Sequence, residues 1–252
     1  MKLSIPGLLG AELAALVMSA QVHAAEISVA VAANFTAPMQ KIAAAFEQET
    51  GHKAVLSFGS TGRFYAQVKN GAPFHVLLAA DDETPARMER EGLGVPGSRF
   101  TYAVGRLALW SRQAELVDDR GDVLQGRRFE RIALAEPKLA PYGAAAIQVL
   151  NGMGLTAALT PMFVQGENIA QTYQFVASGN AQLGFVALSQ VVADGKLTHG
   201  SVWIVPANLH RPIRQDALLL NAAKDNRAAV ALLAYLRSER ARSLLRSFGY
   251  EL

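Results

Sequence analysis

The sequence predicts an α/β protein of two lobes, each a mainly parallel sheet flanked by helices, with a ligand cleft between them. Two observations carry this. Apolar, strand-like runs end in small or hydroxyl residues and pass at once into helices, at Asn34-Phe35-Thr36, Gly59-Ser60-Thr61-Gly62, Pro141-Tyr142-Gly143 and Glu167-Asn168-Ile169. Alternation of this kind gives parallel strands covered by helices on both faces. Two of these starts lie in each half of the chain, which implies two lobes. Ligands of such sheets lie at the C-terminal strand ends, where the helices begin.

The elements follow in order. Ile27–Ala33 is a strand, and the helix after it, about Thr36–Thr50, keeps Met39, Ile42 and Phe46 on the helical period before Gly51 stops it. Strand Lys53–Phe58 leads into a helix from about Thr61 to Asn70. Phe74–Ala80 is apolar throughout, as a buried parallel strand is, and Asp82 with Pro85 opens a helix to Glu91. Gly92–Arg99 reads as a loop, and Tyr102–Trp110 as one long strand. After a looser stretch come strand Arg131–Ala135, helix Tyr142–Met153, strand Met162–Gln165, helix Ile169–Ser178, strand Leu183–Ala187 and a helix over Ala187–Ala193. Val202–Val205 and Ile213–Leu220 read as strands, and Asn226–Phe248 as one or two closing helices. The strands near Tyr102–Trp110 and Ile213–Leu220 are the expected crossings between lobes. They divide the chain into lobe I, residues 25–104 plus 214–252, and lobe II, residues 105–213.

The first 24 residues read as an export signal. Lys2 supplies the positive start, Leu3 to Ala20 are mostly apolar, and Val22-His23-Ala24 fits a small-x-Ala cleavage site. The expected destination is the periplasm. The chain has 252 residues, 51% hydrophobic and 18% charged, with a net charge of +3 dispersed among acidic residues, so no nucleic-acid partner is expected. It has no cysteine, which excludes disulfides, thiolate metal sites, Cys nucleophiles and a lipid anchor through Cys. The histidines show no ligand spacing, and Asp81-Asp82-Glu83 is accounted for as a helix start.

The helix starts are the candidate site. A helix N-terminus presents unpaired N–H groups and a partial positive charge, so several together can bind an anion without Lys or Arg. Asn34 and Thr36 are favoured N-cap types, and the Asn34 side chain is expected to face the crevice with nearby amides. Ser60 and Thr61 stand in a run that is neither a P-loop nor a nucleophile elbow, and can donate hydroxyl and amide hydrogens. Tyr142 can reach a bound oxygen through its hydroxyl. Ile169 offers its amide. No Ser/His/Asp set is present, so no catalytic residue is expected and the protein is read as a receptor, not an enzyme.

Ala32-Ala33-Asn34-Phe35, Ser57-Phe58-Gly59-Ser60-Thr61-Gly62, Asn70-Gly71-Ala72-Pro73, Ala79-Ala80-Asp81, Ala140-Pro141-Tyr142-Gly143, Leu183-Gly184-Phe185-Val186-Ala187 and Phe248-Gly249-Tyr250, in this order and spacing, carry a likeness. From Glu26 to Leu252 the chain resembles the periplasmic molybdate-binding proteins of molybdate ABC transporters, which have the type II periplasmic-binding-protein fold. The resemblance implies a receptor for molybdate, and for tungstate, that hands its ligand to a membrane permease and acts as a monomer. It implies no cofactor; molybdenum enters only as the oxyanion, with no direct protein–metal bond. It places the oxyanion contacts on Asn34, where many members have Ser, on Thr61 with Ser60 beside it, on Tyr142, and on the Ile169 amide. Many members carry a ligand Tyr where this chain has Ala187, and the Tyr142 hydroxyl is expected to replace it.

A donor-only socket suits molybdate and tungstate, dianions without a proton at neutral pH. Monohydrogen phosphate would need an acceptor, and the smaller sulfate would leave donors unpaired at roughly 1–3 kcal/mol each. The alternatives are a receptor for another small anion such as sulfate, an exported hydrolase using Ser60 or Thr61, and the effector-binding part of a regulator.

Overall fold

A computed structural model describes residues 24–126 and 128–252. The expected export signal, but for its last residue, lies outside the described residues. Among the described residues no helix is long and apolar enough to cross a membrane.

The strands are β1 (Glu26–Ala32), β2 (Lys53–Gly59), β3 (Val76–Leu78), β4 (Phe100–Gly105), β5 (Leu107–Ser111), β6 (Ile132–Ala135), β7 (Phe163–Gly166), β8 (Leu183–Ala187), β9 (Val192–Ala193), β10 (Lys196–Leu197), β11 (Ser201–Ile204) and β12 (Ile213–Leu219). The helices are α1 (Thr36–Thr50), α2 (Thr61–Lys69), α3 (Glu83–Arg90), α4 (Val123–Gly126), α5 (Pro141–Gly152), α6 (Thr156–Leu159), α7 (Ile169–Ala177), α8 (Arg227–Leu236) and α9 (Glu239–Ser247).

Two five-stranded sheets define two lobes, with orders β2-β1-β3-β12-β4 and β11-β5-β8-β6-β7. The ladders β1–β2, β1–β3, β6–β7 and β6–β8 are parallel, as strand–helix alternation requires. β12 is antiparallel to β3 and β4, and β5 to β8 and β11. The antiparallel half of each sheet is therefore built by the strands at which the chain passes from one lobe to the other.

Burial explains the strand sequences. Ile27, Val29 and Val31 face α1, α8 and α9 through Met39, Ile42, Phe46, Leu232 and Leu245. Ala30 and Leu77 face the other way, onto Phe64 of α2 and Met88 of α3. In the second lobe Leu134 and Phe185 pack with Val149 and Leu150 of α5, and Ala133 and Val186 with Val176 of α7. Strands buried on both faces have no polar face to show, hence their continuous apolar runs. Each large aliphatic or aromatic side chain so buried contributes about 1.5–3 kcal/mol.

Two expectations are corrected. Tyr102–Trp110 is not one strand. It breaks at Arg106 into β4 and β5, which belong to different sheets, so the apolar run is an edge strand of one core followed by an interior strand of the other. Ala187–Ala193 is not a helix. A single 3₁₀ turn, Leu188–Gln190, is followed by the β9–β10 hairpin. The two residues between those strands are Asp194 (φ 50°) and Gly195 (φ 74°), and two successive positive φ angles make the tight turn that reverses the chain.

Candidate functional site

β1, β2, β6 and β7 all end at the interface between the lobes, and the helix start that follows each lines one cavity. Asn34, Ser60, Thr61, Tyr142 and Ile169 meet there with Ala32, Ala33, Gly59, Ala80, Ala140, Pro141 and Asn168. The volume open to the centre of a water molecule is about 10 Å³, the space of about one water molecule and far too small for a sugar or peptide. All five predicted residues are buried, at 4% exposure or less. Among the described residues no charged side chain lines the cavity. A wider groove of about 480 Å³ opens beside it, sharing Ala80, Ala140 and Pro141 and carrying Asp81, Glu83 and Arg211 on its walls.

Each start leaves particular donors free. In α2 the Arg63 and Phe64 amides bond Ser60 O, and the Gly62 amide crosses the cleft to Leu139 O at 3.0 Å. The Thr61 amide is what remains. Ser60 occupies the N-cap position without capping, and its buried Oγ has no hydrogen-bond partner. The Thr61 hydroxyl accepts the Ala80 amide at 2.9 Å, so its own proton is free to be donated. In α7 Asn168 does cap: its Oδ1 accepts the Ala170 and Gln171 amides, each at 3.0 Å, leaving the Ile169 amide. In α5 Pro141 has no N–H, and Gly143 and Ala144 bond Ala140 O, leaving the Tyr142 amide.

Behind the cavity lies a polar network that sequence reasoning missed. The Tyr142 hydroxyl accepts from Gln215 Nε2 at 3.0 Å. Gln215 Oε1 accepts from Asn34 Nδ2 at 3.0 Å, and the Tyr102 hydroxyl, 2.9 Å from Ala79 O and 3.0 Å from Gln215 Oε1, shares its one proton between them. Asn34 Nδ2 also donates to Tyr250 Oη at 3.0 Å. The Asn34 side chain thus spends its N–H groups on this network, and its Oδ1 is buried without a partner. Ser189, in the other lobe, donates to Asn34 O at 2.9 Å. Gln215 stands between Arg214 and Asp216, so nothing local singled it out, and Tyr250 was visible only as part of the closing motif. Ala187, fully buried at the end of β8, does not line the cavity.

Burial pushes the Tyr142 and Tyr102 hydroxyls well above the usual tyrosine range, and Tyr250 up to about 12, so all three keep their protons at neutral pH. Burial likewise raises Asp81, next to Ala80, to about 6, against the lowering effect of hydrogen bonds from Thr84. At the rim, Arg63 and Glu167 pair across the cleft at 2.6 Å with both side chains more than half exposed. Among the described residues no group of three or more His, Cys, Asp or Glu could hold a metal ion.

A cavity closed between two α/β lobes, lined by the helix starts of both, is the architecture of a solute-binding receptor. Residues 27–251 match the family described as bacterial extracellular solute-binding protein, and the chain belongs to that family. It is 59% identical over 230 residues, 91% of each chain, to the molybdate-binding protein ModA of Azotobacter vinelandii. It is 49% identical over 243 residues to the molybdate-binding protein ModA of Rhodobacter capsulatus, covering 96% of this chain and 95% of that one. The solved periplasmic molybdate-binding protein of Azotobacter vinelandii superposes with a TM-score of 0.88 at 39% identity, over 90% of this chain and 99% of that one.

Proposed function

We propose that this protein is a periplasmic receptor that binds molybdate, and tungstate, in the inter-lobe cavity and presents it to a membrane permease of an ABC transporter. The observation that carries the reading is a small cavity bordered by uncommitted amides and hydroxyls from both lobes and, among the described residues, by no charged side chain. Relatives at 59% and 49% identity that bear the molybdate-binding name support the choice of anion.

In the mechanism, three of the four helix starts, those of α2, α5 and α7, supply the attraction. The hydroxyls of Ser60, Thr61 and Tyr142 and the amides of Thr61, Tyr142 and Ile169 donate to the oxygens of a dianion that carries no proton. Charge-assisted hydrogen bonds contribute roughly 1.5–3 kcal/mol each, and after the cost of ordering the lobes the net affinity is on the order of micromolar to nanomolar. Thr61 and Tyr142 each accept a hydrogen bond from behind, from Ala80 and Gln215, which directs their own protons forward. Because donors come from both lobes, the anion favours the closed arrangement over any in which the lobes part. The expected monomer needs no second chain to complete this site. A binding role is supported by the match to the solute-binding family and by relatives named for binding molybdate.

Calorimetric titration of the signal-free protein with molybdate, tungstate, sulfate and phosphate tests the proposal. Saturable one-to-one binding of molybdate and tungstate, with sulfate and phosphate far weaker, is expected. Absence of both heat and thermal shift with molybdate would overturn it.

A further inference from the structure

The polar network behind the cavity has a direction. Gln215 is fully buried on β12, a strand that leads from the second lobe into the first. Its Oε1 accepts from Asn34 Nδ2 of the first lobe and shares the single proton of the Tyr102 hydroxyl with Ala79 O. A carboxamide whose oxygen is so engaged must present its nitrogen on the other side, and there Nε2 donates to the Tyr142 hydroxyl at 3.0 Å. A hydroxyl that accepts along one direction directs its single proton along another. Tyr142 is among the residues that line the cavity, and among the described residues no group accepts its hydroxyl proton.

The backbone is kept bare to allow this contact. A Cβ built on Gly105 would stand 2.0 Å from the Tyr142 hydroxyl oxygen and 2.4 Å from Gln215 Nε2. Any side chain at Gly105, the last residue of β4 before the chain crosses between lobes, would drive the pair apart.

We propose that Gln215 is a positioning residue that determines specificity: by donating to Tyr142 it fixes that hydroxyl as a donor toward the ligand, and so discriminates against oxyanions that carry a proton. The inference rests on the reading of this cavity as an oxyanion site. Reversing the polarity of residue 215 reverses Tyr142. An ionised glutamate would accept from Asn34, Tyr102 and Tyr142 alike, and the Tyr142 lone pair would then face the cavity. That arrangement repels an all-acceptor anion and welcomes a P–OH group.

The test compares molybdate with inorganic phosphate at pH 8. Both are then mainly dianions, so the added charge of a glutamate weakens both alike, and the ratio of their dissociation constants isolates hydrogen-bond polarity. In Gln215→Glu the preference for molybdate over phosphate is expected to fall about 10-fold or more. In Gln215→Leu, which adds no charge and frees the Tyr142 lone pair, it falls in the same direction by less. On a Tyr142→Phe background neither substitution changes the ratio, because the hydroxyl through which Gln215 acts is gone. A residue with only a structural role would weaken both anions equally and leave the ratio intact. An unchanged ratio in Gln215→Leu with its fold verified by thermal unfolding, or a ratio that falls as far in the Tyr142→Phe background, overturns the inference. Failure of the unsubstituted protein to bind molybdate is a different result, and strikes at the function itself.

Discussion

The two lobes are built to one plan and furnished differently. In each sheet the first parallel strand, β1 or β6, lies between the second, β2 or β7, and the third, β3 or β8, and two antiparallel strands complete the far side. The cavity takes the turn after the first and second strand of each lobe. Asn34 therefore corresponds to Tyr142, and Ser60-Thr61 to Asn168-Ile169. The corresponding N-caps show the difference most clearly. Asn168 bonds two amides of its own helix, whereas Ser60 bonds none and keeps a buried hydroxyl without a partner. A residue of capping type that does not cap is available to a ligand; one that caps contributes stability instead. The first lobe offers two hydroxyls and the Thr61 amide, and the second offers the Tyr142 and Ile169 amides plus the Tyr142 hydroxyl, which accepts from Gln215 on β12.

The widest gap between the lobes is expected at Thr61. Thr61→Val removes a charge-assisted donor, and molybdate affinity should fall about 10- to 100-fold by calorimetry, while the stranded Ala80 amide should lower stability by roughly a further 1–3 kcal/mol. A valine that bound as well as threonine would remove the first lobe's hydroxyls from the site. Asp81 follows the third strand of the first lobe, where the second lobe has Leu188 and no titratable group. Its folded pKa near 6 lies above the unfolded value, so the folded state binds this proton more tightly. The stability it confers is full below about pH 4 and is lost as pH rises through 6. Asp81→Asn should accordingly unfold at a higher temperature than the unsubstituted protein at pH 8, by about 1–2 kcal/mol, with the gain vanishing near pH 4. A pH-independent difference would contradict it.

The N-cap pair gives the sharpest contrast at smaller cost. Ser60→Ala should weaken molybdate about 10-fold while leaving the melting temperature unchanged, since no bond within the protein is lost. Asn168→Ala should do the opposite, lowering stability by about 1 kcal/mol with a lesser effect on affinity. Equal effects of the two on melting would erase the distinction between them. Smallest of all is Arg63→Ala. Its exposed pair with Glu167 is worth under about 1 kcal/mol, and the loss should disappear in high salt.

Much of the fold was legible because strands buried on both faces write themselves as apolar runs and helices announce their starts and stops. The break at Arg106 was not, since two strands of different sheets joined by one residue read as one apolar run. The Ala187–Ala193 segment was misread because an apolar period outweighed the Asp194-Gly195 turn, which itself signals a hairpin. The cavity-lining set of Asn34, Ser60, Thr61, Tyr142 and Ile169 could be named from the strand-to-helix turns, because chemistry there depends on local geometry. Gln215, Tyr102 and Tyr250 could not, because their role arises from contacts across the fold, with Gln215 and Tyr142 separated by 73 residues. Nor did sequence show that the Asn34 side chain turns its N–H groups away from the cavity.

The central claim is that neutral dipoles from both lobes hold a proton-free dianion without a formal countercharge. A crystal structure of the protein with molybdate tests it most directly. The account predicts the anion between the lobes, its oxygens about 2.7–3.1 Å from the Ser60, Thr61 and Tyr142 hydroxyls and the Ile169 amide, with no Lys, Arg or His in contact. Molybdate seated instead against Arg63, Arg211 or any other cation would contradict it.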